Sequence, residues 1–111
     1  MHEMTLCRQI VATVSETIDK HMTPTCVRLA IGKLALVDTE SLRFWFPIIA
    51  KEQLGASPQL TIDTVAAVAC CQDCQHEFTI EQRLSACPNC HSYHYRLCSG
   101  DELMIKTVEV E

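Results

Sequence analysis

Four cysteines stand in two matched pairs, Cys71-Gln72-Asp73-Cys74 and Cys87-Pro88-Asn89-Cys90, with twelve residues between them. Two residues between thiols let one tight turn aim both sulfurs at a single ion, and two such turns complete a tetrahedron. Four thiolates select zinc, or iron in an electron carrier, and a full shell leaves no position open for water or substrate. The chemistry expected at Cys71, Cys74, Cys87 and Cys90 is therefore structural. Cys70 would stand three residues from Cys74 instead of two and is the poorer ligand. The run Cys87 to His91 also matches the attachment pattern for c-type haem, but the upstream pair and the lack of an export signal argue against it.

The first three residues, Met1-His2-Glu3, carry a second possibility. A large residue after the initiator blocks methionine removal, so a free α-amine is expected at Met1. That amine, the His2 backbone nitrogen and the His2 imidazole form fused five- and six-membered chelate rings, which Glu3 can complete through its backbone nitrogen or carboxylate. Planar nitrogen and oxygen donors favour nickel(II) or copper(II). Copper binds such donors more tightly, so selection for nickel would have to come from supply and delivery partners. On chemistry alone, a disordered terminus is the plainer reading.

The remaining candidates read as packing or surface. Cys7, Cys26 and Cys98 have no partner at ligand spacing and lie in or beside apolar elements, where a free thiol packs as a small hydrophobe. His76, His91 and His94 surround the paired cysteines and could replace a thiolate, but exposed polar residues are the simpler account.

These residues must be positioned by a short chain. Its 111 residues suit one modest core plus a small appendage held by something other than a core of its own. Nine basic against fourteen acidic side chains, with no basic cluster, argue against nucleic acid. No apolar run reaches membrane-spanning length and no secretory signal is visible, so the cytoplasm is the expected compartment.

Leu6, Ile10, Val14 and Ile18 recur every fourth residue and predict an amphipathic helix from Thr5 to His21, interrupted by Thr23 and Pro24. Val27, Leu29 and Ile31 alternate into a strand that stops near Gly32. A second helix is predicted after a cap at Asp38 or Thr39, with Pro47 ending or kinking it. After a turn at Gly55 to Pro58, a strand through Leu60 and Ile62 runs toward the cysteines. Leu103 to Val110 alternates again, with one slip near Thr107. The fold class expected is α+β: a small three-stranded sheet packed by two helices, with an inserted zinc-ribbon-like four-cysteine domain. Residues 1–69 plus 101–111 would form the first domain and 70–100 the metal-binding one, whose folding rests on metal affinity because it cannot bury enough apolar surface alone.

The opening MHEMTLC, the Val27 to Gly32 strand, the two cysteine pairs and the run from Gly100-Asp-Glu-Leu to the end occur in one order along the whole chain. In these the chain resembles the HypA/HybF hydrogenase maturation proteins. The resemblance implies nickel(II) as transferable cargo at Met1, His2 and Glu3, and zinc(II) at the four cysteines. Asp38 looks like the counterpart of an acidic residue sometimes implicated near the nickel. It further implies a GTPase partner, HypB, delivery to the large subunit of [NiFe]-hydrogenase, service to urease through UreE in some organisms, and a monomer or homodimer. Pro47, Cys26 and Cys98 depart from the commoner pattern and put the geometry of the second helix in doubt.

No activated nucleophile, phosphate loop or open zinc site is visible, so an enzyme is disfavoured. The rival readings are a zinc-ribbon interaction module without transferable metal and an iron-binding electron carrier, which would be red.

Overall fold

The structure is a computed structural model that describes residues 2–82 and 84–111, with the side chain of His2 outside that set. The elements are α1 (His2–Thr17), β1 (Pro24–Gly32), α2 (Thr39–Leu54), β2 (Gln59–Val65), β3 (Ala67–Cys71), β4 (Glu77–Ile80), β5 (Tyr95–Ser99) and β6 (Leu103–Val110). Two helices thus accompany two three-stranded sheets, ordered β2-β1-β6 and β4-β3-β5. The α+β class and the three-stranded sheet with two helices are as expected. The strands β4 and β5 inside the cysteine-rich segment were not foreseen.

Helix α1 buries Cys7, Ile10, Val11 and Val14, a single stripe at helical spacing. It begins at His2 and ends at Thr17, earlier at both ends than the predicted Thr5 to His21. At its start, Glu3 sits in the positively polarised first turn. At its end, the Thr17 hydroxyl donates to the Thr13 carbonyl at 2.7 Å, and Asp19 opens a turn closed by the Met22 amide at 3.0 Å. Thr13 makes the same hydroxyl bond to the Gln9 carbonyl at 2.9 Å inside the helix, so the backbone turn from Asp19 to Met22 is what redirects the chain.

Helix α2 packs against α1 through Leu42, Phe46, Ile49 and Ala50. Asp38 caps it, accepting from the Glu40 and Ser41 amides at 3.1 and 3.3 Å. Gly55, at φ 68°, closes it in the left-handed conformation with its amide 3.1 Å from the Lys51 carbonyl. Pro47 does not end this helix, contrary to one of the two sequence expectations. An interior proline costs about 3 kcal/mol. The carbonyl it deprives belongs to Arg43, which is exposed and open to water. The buried side chains on both sides of Pro47, each worth roughly 1.5–3 kcal/mol when fully buried, outweigh that cost.

Strand β1 is central. It starts at Pro24, before the predicted Val27, at the one strand position where a missing N–H does little harm. Thr23 and Glu111 exchange amide bonds at 3.2 and 2.9 Å while Gly32 donates to Glu102, so β1 and β6 run antiparallel. On its other side Cys26 meets Thr61 and Lys33 donates to Val65, which makes β1 and β2 parallel. A parallel pair needs a crossover, and α2 supplies it. The slip near Thr107 is real: Lys106 and Thr107 are both exposed in succession, between Ile105 and Val108, which are half-buried.

By internal contacts the chain divides into one unit of Met1–Leu29, Val37–Ile62 and Ile105–Glu111 and another of Ala30–Leu36 and Asp63–Met104. The second unit reaches beyond residues 70–100 because Leu34, Ala67 and Ala69 are buried together with Cys71, Phe78, Ile80 and Cys87. Within it, Gly32 and Gly100 cross closely. A methyl on Gly32 would lie 2.1 Å from the Gly100 carbonyl, and one on Gly100, at φ 91°, would lie 2.3 Å from the Ala67 backbone. Gly100→Ala should therefore destabilise this unit by about 2 kcal/mol or more, through both strain and overlap. Denaturant unfolding of the metal-loaded protein checks it; a loss below about 0.5 kcal/mol would contradict the packing described.

Candidate metal centre

Strand β3 delivers the first ligand candidate. Ala67, Ala69 and Cys71 face the core, while Val68 and Cys70 face outward, because side chains alternate along a strand. Cys71 is the last residue of the strand, and the chain then turns sharply. The Gln75 amide donates to the Cys71 carbonyl at 3.0 Å, and the Cys71 amide donates to the His76 carbonyl at 2.9 Å. The second pair repeats the same two bonds: His91 to the Cys87 carbonyl at 2.7 Å and Cys87 to the Ser92 carbonyl at 2.9 Å. In each turn the residue after the second cysteine is left-handed, Gln75 at φ 67° and His91 at φ 62°. Neither is glycine, so each turn carries a strain of roughly 1–2 kcal/mol.

The two turns bring the four thiols together. Cys71 Sγ lies 3.6 Å from Cys90 Sγ and Cys74 Sγ 3.6 Å from Cys87 Sγ, and all four sulfurs lie within 4.8 Å of one another. A disulfide would need about 2.05 Å. Four sulfurs at 2.3 Å from a shared tetrahedral ion would be about 3.8 Å apart. The cluster fits a tetrathiolate shell. Among the described residues it is the one group of at least three cysteine, histidine or acidic side chains with metal-ligand spacing.

The thiols do not ionise alike. The Asn89 side chain and the His76 amide hydrogen-bond to Cys74 and bring its thiol down to about 6. At Cys90 the Ser92 amide favours the thiolate, but burial and the three neighbouring sulfurs outweigh it and push the thiol up to about 12. Like charges so close cannot all be present without a cation. Ion binding must therefore displace protons.

Cys70 stays outside this cluster. In register it stands opposite Glu77 on β4 and Arg96 on β5, on the outer face of the sheet. Cys7 is fully buried, its thiol pushed up to about 11 by desolvation and by the nearby Glu3 charge, and it donates weakly to the Leu42 carbonyl. Cys26 is half-buried beside the Thr61 hydroxyl. Cys98 is exposed, contrary to the expectation that it packs, because it falls where the β3–β5 register slips between Val68 and Ala69. His76, His91 and His94 are exposed. His76 stacks on Phe78, and His94 Nδ1 lies 3.4 Å from Asp73 Oδ1.

Of the N-terminal set, Met1 and the His2 imidazole lie outside the described residues. Glu3 is described: its Oε2 accepts the Asp38 amide at 3.2 Å, which holds its carboxyl below the usual range. Asp38 is brought to Glu3 through its backbone, whereas its own carboxylate serves the cap, with Oδ1 on two amides and Oδ2 accepting the Ser41 hydroxyl. The Glu3 tether therefore contributes fully above the ordinary glutamate value of about 4.3 and is lost as pH falls through the lower folded value. In an NMR titration the Asp38 amide should report a midpoint below about 4.3. Glu3→Gln should abolish that titration; an unchanged Asp38 profile in the variant would refute the tether.

Comparison with known proteins follows the whole chain. The family model described as hydrogenase/urease nickel incorporation, metallochaperone, HypA matches residues 1–110. The hydrogenase maturation factor HypA of Azotobacter chroococcum is 38% identical over 100% of both chains, and that of Francisella philomiragia 31% identical over 97% of both. HybF of Klebsiella pneumoniae is 35% identical over 100% of both. The solution structure of the Ni metallochaperone HypA from Helicobacter pylori shares the fold at a TM-score of 0.70 with 22% identity, covering 96% of this chain and 95% of that one. The chain belongs to the HypA family of hydrogenase maturation factors.

Proposed function

We propose that this protein is a nickel metallochaperone that carries nickel(II) on Met1, His2 and Glu3 and releases it for maturation of [NiFe]-hydrogenase. The observation that carries the proposal is the start of α1 at His2. The first four amides of a helix have no intrahelical acceptor, so the backbone nitrogens of His2 and Glu3 stand outside the helix ladder, where coordination would not break it. Glu3 is held at this helix end by the Asp38 amide, which fixes its carboxylate beside the proposed cargo site. A cation at a helix N-terminus meets the positive end of the dipole. That opposition favours a site that lets go.

The four-cysteine cluster suits zinc(II) held by Cys71, Cys74, Cys87 and Cys90, where the ion would supply cross-linking and no catalysis. Residues 70–100 would then be the centre of the zinc-binding domain, with Leu34, Ala67 and Ala69 completing its core, and the helices with their sheet the nickel-binding domain. Transfer proceeds by ligand exchange, in the cytoplasm, with a HypB-type GTPase and the hydrogenase large subunit as partners and UreE as a further recipient. Asp38 acts by holding Glu3. Among the described residues no helix is long and apolar enough to cross a membrane.

Calorimetric nickel titration of wild type, His2→Ala and a form extended before Met1 tests the cargo site. Both altered forms should bind at least tenfold more weakly; an extended chain that binds as tightly as wild type would remove the free-amine site. For the cluster, Cys74→Ala and Cys90→Ala should each release zinc and unfold the turns while α1 and α2 persist. Elemental analysis showing one zinc per chain in both variants would exclude the assignment.

A further inference from the structure

The two cysteine turns are joined by more than the ion they are proposed to share. Gln72, in the first turn, donates its amide to the His94 carbonyl at 2.9 Å. The His94 amide donates to Ser92 Oγ at 3.0 Å. The Ser92 hydroxyl donates to Asp73 Oδ2, and Asp73 is the chain neighbour of Gln72. These bonds close a ring between the tip of the first turn and the exit of the second. His94 Nδ1 touches the ring from outside, on the other Asp73 oxygen at 3.4 Å.

Ser92 is the pivot, because its carbonyl already closes the second turn by accepting the Cys87 amide. One residue therefore locks its own turn through its backbone and the opposite turn through its side chain. Beyond the ring, β3 and β5 pair only from Cys71 and Tyr95 onward. The ring ties the turns together beside the four sulfurs, where the Asn89 side chain also reaches Cys74.

Loss of an ion from four thiolates begins when one sulfur lets go, and it continues only if the two turns can part. We infer that Asp73 and Ser92 are positioning residues for the four-cysteine site, and that their ring slows escape of the metal by holding the turns together after the first sulfur detaches. Outer groups of this kind change metal retention by about 10–100-fold in other sites. The inference rests on the four-thiolate reading above.

The test is zinc transfer from the full chain to a chromophoric chelator, followed in time. Asp73→Ala and Ser92→Ala should each speed release tenfold or more, and the double variant should be little faster than either, because each single change already opens the ring. Asp73→Asn, which can still accept the hydroxyl, and Ser92→Thr, which can still donate it, should restore slow release. Cobalt substituted for zinc should give the same thiolate-to-metal bands in every variant, since the ligands are untouched. Release from both alanine variants within twofold of wild type, or alanine variants not rescued by Asn and Thr, would overturn the ring's role. A wild-type chain that shows no thiolate-to-cobalt bands would overturn the four-thiolate reading itself, a distinct outcome from unchanged rates.

Discussion

Four sulfurs within 4.8 Å of one another can be charged together only around a cation, and the second unit is organised by that constraint. Its core is thin: besides Cys71 and Cys87, the buried members are Leu34, Ala67, Ala69, Phe78 and Ile80, two of them alanines. The strands around it are four or five residues long. Such a core does not suffice by itself, so two of its members are also the sulfurs that an ion would draw together. Core packing and ligand placement are the same event here, because Cys71 ends an inward-facing run that begins at Ala67.

The first unit is built on a different principle. Its stability comes from ordinary burial along α1 and α2, with Leu42, Phe46, Ile49, Val11 and Val14 shielded almost completely. Among the described residues, that burial involves none of the four clustered cysteines. A carrier that must deliver its cargo benefits from this arrangement, since the unit proposed to hold nickel keeps its shape whether loaded or empty. The unit proposed to hold zinc, with its thin core, would depend on its ion for shape. On that proposal, labile and permanent binding would be separated by what each ion is asked to stabilise.

Much of this was legible in the sequence, and the failures have physical causes. Paired cysteines two residues apart admit few geometries, so the cluster was readable without structure. The helical stripe of α1 and the alternation of β6, including its slip, were likewise strong periodic signals. The far end of α1 was misplaced because Ile18 extends the apolar period past the point where the Met22 amide closes a backbone turn on the Asp19 carbonyl. Pro47 left an end or a kink open, because sequence alone does not show how completely Phe46 and Ile49 on either side of it are buried. The strands β4 and β5 are short and flanked by ligand turns, so their patterns had too few residues to register. The exposure of Cys98 depends on a register slip between strands, which no single-chain pattern reveals.

The left-handed backbone at Gln75 and His91 has one more implication. With side chains where glycine would sit at ease, both turns store a small strain that an ion among the four sulfurs would have to hold. Metal entry would then resemble cocking a spring more than filling a socket, since the ion would do work on the peptide.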